Sequence, residues 1–151
     1  MSWARLEAEA PELARLGRER LANGLALLGT VRADGSPRVS PIGVFFLGGE
    51  LVVGVMTRSG KARDLRRDPR AALQSVVTAP DEGEPELKLY GRVSPSDADG
   101  GWWEGGRAGV DVYAFAFDEA VYVEWDLAGG TLTLRRWRPG RGEDVSERPY
   151  P

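Results

Sequence analysis

Glycine-bearing turns cut this sequence into short segments at Asn23-Gly24, Asp34-Gly35, Gly48-Gly49 and Gly129-Gly130. Twenty glycines and ten prolines in 151 residues leave little room for a helical bundle and favour many short strands. The segments between the turns carry the period of strands. Leu87, Leu89 and Val93 fall on one face of Glu86 to Ser94, with Lys88, Tyr90 and Arg92 on the other. Strands are expected over Leu25–Arg32, Pro37–Leu47, Glu50–Thr57, Arg70–Thr78, Glu86–Ser94, Val110–Phe117, Ala120–Trp125 and Thr131–Trp137. The turn Ala33-Asp34-Gly35-Ser36 joins the first two as a hairpin.

Two segments read as helix. Residues 2 to 23 carry a possible cap in Ser2, a restart at Pro11 and an apolar stripe of Leu13, Leu16 and Leu21. Ser59 to Asp68 is shorter and is stopped by Pro69. The resulting pattern is mainly β with flanking helices, which a closed or nearly closed antiparallel barrel over residues 1–151 satisfies. Within it, Leu51, Val52, Val53, Val55 and Met56 do not alternate. A strand apolar on both faces needs cover on both: the core on one side, and a second subunit or a helix on the other. Pro95 to Gly109, with Trp102 and Trp103, reads as a loop or weak helix that packs on the barrel or forms a lid.

Composition narrows the chemistry. The chain has no histidine and no cysteine. That removes imidazole bases, Ser-His-Asp triads, thiolate nucleophiles, and His- or Cys-ligated metals. Any reactive group is then expected to arrive on a cofactor. A net charge of −3 argues against a general nucleic-acid binder. Met1 to Ala10 mixes acids and bases without an apolar core, so no signal peptide is expected. The uncharged stretch Val39 to Gly49 falls short of the ~20 residues of a membrane span. The expectation is a cytoplasmic protein with no membrane partner.

Three places bear on binding. In Met56-Thr57-Arg58-Ser59-Gly60-Lys61 a strand ends and a helix begins with a lysine in its first turn. A cation beside the positive end of a helix dipole costs ~0.3–1 kcal/mol. The conflict vanishes if an anion, most simply a phosphate, sits there among backbone N–H groups, the Thr57 and Ser59 hydroxyls, Lys61 and Arg58. Otherwise Ser59 only caps the helix and Lys61 is solvated. On the second strand Arg38 and Ser40 share a face with Ile42, Val44 and Phe46 and can meet one ligand, or simply begin an exposed strand. Carboxylates at strand ends (Asp118, Glu119, Glu124, Asp126) read as solvated, and Arg135, Arg136, Arg138 and Arg141 as solvated or ion-paired.

In order and spacing, three stretches resemble the pyridoxamine 5'-phosphate oxidase-like split-barrel family, most of all its short bacterial members. They are Leu27-Leu28-Gly29-Thr30-Val31-Arg32-Ala33-Asp34-Gly35-Ser36-Pro37-Arg38-Val39-Ser40-Pro41, Ser59-Gly60-Lys61-Ala62-Arg63-Asp64-Leu65 with Arg67-Asp68-Pro69-Arg70, and Lys88-Leu89-Tyr90-Gly91-Arg92-Val93. The resemblance implies an antiparallel split β-barrel that binds FMN or the deazaflavin F420 at the interface of a homodimer. That interface would cover the second face of Leu51 to Met56. Arg38, Val39 and Ser40 would border the flavin ring and ribityl chain. Met56 and Thr57 would offer backbone, Ser59, Lys61 and Arg58 would serve the phosphate, and Trp137 would come from the other subunit.

The implied activity is an oxidoreductase moving hydride to or from a small organic substrate. Two departures matter. Gly60 stands where the family often has an arginine, and Arg135-Arg136-Trp137-Arg138-Pro139-Gly140 lacks the arginine–histidine motif of genuine pyridoxamine-phosphate oxidases. Vitamin B6 oxidation is therefore not expected. The alternatives are a non-catalytic FMN- or F420-carrying protein and a cofactor-free barrel that serves as an interaction module.

Overall fold

The computed structural model describes residues 2–98 and 108–150, so Trp102 and Trp103 lie outside the described residues. Two helices lead, α1 (Trp3–Glu9) and α2 (Pro11–Arg20). The expected helix over residues 2 to 23 is thus broken at Ala10, whose φ and ψ of −146° and 68° are not helical. Pro11 explains the break: its ring disfavours helical backbone in the residue before it, and it restarts the helix at N1.

Eight antiparallel strands follow: β1 (Leu25–Val31), β2 (Pro37–Leu47), β3 (Glu50–Met56), β4 (Arg70–Ser75), β5 (Glu86–Pro95), β6 (Val110–Asp126), β7 (Thr131–Arg138) and β8 (Gly142–Pro149). Helix α3 (Gly60–Arg67) lies between β3 and β4. The order is β3-β2-β1-β4-β5-β6-β7-β8, and pairing of β3 with β6 closes the first six into a barrel. The fold is mainly β, with an antiparallel barrel and helices at its N-terminus. Among the described residues no helix is long and apolar enough to cross a membrane.

The two strands expected over Val110–Phe117 and Ala120–Trp125 are one. Strand β6 is 17 residues long and pairs in turn with β3, β5 and β7. Its register against β5 slips between Tyr90 and Gly91, so Asp118 is the extra residue of a bulge. Gly91 is required there. A β-carbon on it would lie 2.2 Å from the Ala116 carbonyl oxygen and 2.5 Å from the Phe117 Cα. Strand β4 ends at Ser75, before the expected Thr78, because Glu84 draws the chain into a loop. Its Oε2 accepts the N–H groups of Thr78 and Ala79 at 2.6 and 2.7 Å, and Arg20 pairs with the same carboxylate.

The core fills the barrel and continues under the helices. Trp3, on α1, stacks edge-on against Phe46 at 4.8 Å and Phe117 at 5.8 Å. Helix α3 adds Ala62 and Leu65 from the other end of the β1–β2 hairpin. On one face of β3, Leu51, Val53 and Val55 join the core. On the reverse face Val52 is 0% exposed within this chain, whereas Met56 is 64% exposed.

Candidate functional site

The barrel is split between β2 and β3. Their register begins at Gly43–Gly54, although β2 runs back to Pro37 and β3 on to Met56. Among the described residues, strand β2 pairs only with β1 from Pro37 to Ile42, and its other edge carries no strand. An open edge presents backbone donors and acceptors for any flat polar ligand. The start of α3 is set into this opening. Lys61 Nζ donates to the Pro41 carbonyl across it at 3.1 Å.

Ser59 caps α3, its Oγ accepting the Ala62 N–H at 3.2 Å, while its own N–H donates to the Met56 carbonyl. Among the described residues this leaves the N–H groups of Gly60 and Lys61 without a partner at the positive end of the helix. Arg38 lies over the same turn. A β-carbon on Gly60 would come within 2.9 Å of its guanidinium carbon. Arg38 is held there by Asp64, whose Oδ2 accepts from Arg38 Nε at 2.6 Å and from Thr30 Oγ1 at 2.9 Å. Asp64 is only 3% exposed. Burial alone would push its carboxyl pKa up, but the Arg38 and Thr30 hydrogen bonds and the Arg38 charge outweigh it and hold the group below the usual carboxylate range.

The structure therefore brings Arg38, Ser59 and Lys61 to one place. Ser40 is half-buried on the Arg38 face of β2, and Val39 is exposed on the opposite face. Thr57 is turned away. Its hydroxyl donates to Asp111 at 2.9 Å, its N–H to the Gly109 carbonyl, and its own carbonyl accepts from Arg66. The backbone offered by Met56 is also spent at its carbonyl, which takes the Ser59 N–H. Arg58 is exposed and makes no side-chain hydrogen bond among the described residues.

Trp137 does not belong with these residues. It is 0% exposed, packs against Phe117 at 5.8 Å and donates Nε1 to Glu9 at 3.1 Å. Its ring anchors α1 to the barrel and has no surface left for a ligand. The arginines around it are ion-paired: Arg135 with Glu143, and Arg136 and Arg138 with Glu119.

Asp64, which orients Arg38, is the member of the site that motif reading passes over. Its signal is an acid between Ala62 and Leu65 on the buried side of a short helix, a position that demands a cationic partner.

Residues 17–120 match the pyridoxamine 5'-phosphate oxidase family. The chain belongs to that family. No curated protein matches the sequence. Among solved structures, a pyridoxamine 5'-phosphate oxidase-related, FMN-binding protein from Nostoc punctiforme is similar over 100% of both chains, at 15% identity and a TM-score of 0.63. PhzG from Burkholderia lata, solved with tetrahydrophenazine-1-carboxylic acid, matches 95% of this chain and 96% of its own at 13% identity and TM-score 0.67. The haem storage protein HutZ from Vibrio cholerae matches 72% of this chain and 89% of its own at 17% identity and TM-score 0.53. At such identities the likeness is one of fold, and ligands differ among family folds. The donors of this chain decide which ligand suits it.

Proposed function

We propose that the protein binds a flavin-type mononucleotide, FMN or the deazaflavin F420, in the split between β2 and β3, and uses it as an oxidoreductase on a small organic substrate. The observation that carries this reading is the convergence on the first turn of α3. Two unpartnered N–H groups and the Arg38 guanidinium meet there beside the Ser59 hydroxyl, and Lys61 reaches from the same turn to the Pro41 carbonyl. Such a donor set suits a phosphate monoester dianion. The open edge of β2 beside Arg38, Val39 and Ser40 suits the alternating donors and acceptors of a flavin ring.

In this mechanism Lys61 and Arg38 neutralise the phosphate, and Asp64 keeps Arg38 aimed at it. Ser59 and the first turn of α3 fix its position. The edge of β2 orients the ring and excludes water from one side of it. A bound flavin supplies the hydride chemistry, for which the chain, without histidine or cysteine, has no substitute of its own.

The subunit partner belongs to the same proposal, on a different surface. Gly29 of β1 and Ala72 of β4 floor a depression on the outer face of the sheet, rimmed by Val39, 68% exposed, and Tyr90, 41% exposed. A second copy of the chain covers this face. The haem reading is less well supplied, because the common histidine and cysteine axial ligands are absent from the sequence.

The test is the absorbance of the purified protein, titrated with FMN and with F420, followed by turnover with reduced nicotinamide. Binding with turnover supports the enzyme, and binding without it makes the protein a carrier. Failure to bind either cofactor leaves the interaction module. Light scattering that returned a monomer would remove the dimer alone.

A further inference from the structure

We infer that a second anion site lies on the flank of α3 that faces the β1–β2 turn, and that it takes a compact polyanion bearing phosphate or carboxylate groups. Arg32, Arg38, Arg63 and Arg67 line an open cavity of about 440 Å3 there, together with Asp34 and Asp64. Four guanidinium groups against two carboxylates give a formal excess of 4 − 2 = +2, in a chain whose total is −3.

The two acids are already engaged. Asp34 Oδ1 accepts the N–H and the hydroxyl of Ser36 at 2.9 and 2.6 Å. Asp64 takes Arg38, Thr30 and, at 3.5 Å, Arg67. Arg32 and Arg63 are exposed and make no side-chain hydrogen bond or salt bridge among the described residues. With four like charges against two acids in one cavity, the net repulsion is relieved when an anion sits between the guanidinium groups. Guanidinium groups suit that task, being weakly hydrated and matched in shape to carboxylate and phosphate.

The size of the cavity lies within the roughly 300–1,000 Å3 of small-molecule sites. Its lining is charged where a ring-binding pocket would be apolar, so the occupant is a compact polyanion and not an aromatic. The site is distinct from the start of α3. The two share the Arg38–Asp64 pair: the Arg38 guanidinium carbon sits against Gly60 while its Nε donates to Asp64. The inference therefore does not depend on a bound flavin.

Calorimetric titration of the full chain with inorganic pyrophosphate and, separately, with citrate tests it at low ionic strength. At least one should bind with a Kd below about 1 mM and weaken as salt is added. Binding should fall at least about tenfold in the Arg32→Ala/Arg63→Ala double variant and change less than about threefold in Lys61→Ala. Tighter pyrophosphate binding assigns a phosphate ligand, and tighter citrate binding assigns a carboxylate. Arg32 and Arg63 are exposed, so the fold should survive, as circular dichroism would report. Should the double variant melt early, Arg63→Gln alone carries the same comparison. Binding of neither probe, an unchanged double variant, or an equal loss in Lys61→Ala would overturn the inference.

Discussion

The guanidinium carbon of Arg38 stands 2.9 Å from the point where a β-carbon on Gly60 would be. The glycine that departs from the family pattern is thus the residue that lets another arginine occupy the turn. Gly60→Ala should push Arg38 aside while leaving the fold intact, because the clash is with the end of a long side chain. Alanine also favours helix by ~1 kcal/mol over glycine, which offsets part of any strain. FMN affinity should fall about threefold to tenfold with little change in melting temperature. Tighter FMN binding in the variant would show that Arg38 does not serve the phosphate.

Lys61→Ala should remove a charge-assisted hydrogen bond to the phosphate worth ~1.5–3 kcal/mol, so cofactor affinity falls about tenfold to a hundredfold. Without cofactor, stability should hold or rise slightly, since a cation leaves the positive end of α3. Titration of FMN and F420 into both proteins at matched ionic strength reads the effect. Equal affinities would mean that Lys61 does not hold the phosphate and serves only its bond to the Pro41 carbonyl.

Gly91→Ala places a methyl group into backbone on the partner strand, at 2.2 Å from one carbonyl oxygen. Neither side can yield without unmaking the bulge of β5 against β6. Overpacking commonly costs ~1–3 kcal/mol, and this case belongs at or above the top of that range. Urea denaturation should report the loss. A change below about 1 kcal/mol would mean that the bulge relaxes easily.

Glu84 gives the fold an acid limit. Hydrogen bonds from the Ala79 N–H, Arg20 and the Thr78 N–H bring its pKa down from 4.5 to about 2. A folded-state pKa below the unfolded one means that its stabilisation is complete above about pH 4.5 and is lost as pH falls toward 2. Glu84→Gln should lower stability at neutral pH and flatten the acid side of the profile across that window. A profile unchanged in slope would show that other carboxylates govern acid unfolding.

Much of this fold is legible in local chemistry. Asp34-Gly35 marks the β1–β2 hairpin, Ser59 the cap of α3, and Pro69 its end, because each acts on its immediate neighbours. Strand β8 is not legible. Glu143, Asp144, Glu147 and Arg148 surround a lone Val145, so an edge ribbon with solvated faces shows no apolar period. Trp137 fails for a different reason. A strand aromatic reads alike whether it faces a ligand or a helix, and the partner that decides, Glu9, lies 128 residues away. Within the site, Lys61 and Arg38 stand out as cations in strained or shared positions. Asp64 carries a weaker signal, its place between the apolar Ala62 and Leu65, and its partner Arg38 lies 26 residues away.

That long strand β6, shared among three neighbours, also governs how the chain can be made. Until it emerges during synthesis, β3 and β5 both end in bare edges, with nothing to close them. Helix α1 waits longer still, for Trp137. A nascent or truncated chain that stops before Val110 therefore exposes two ladders of unpaired backbone, the surfaces by which chains stick to one another. Non-local closure of this kind makes folding slow and nearly all-or-none, with the ribosome releasing most of the chain before any of the barrel is secure.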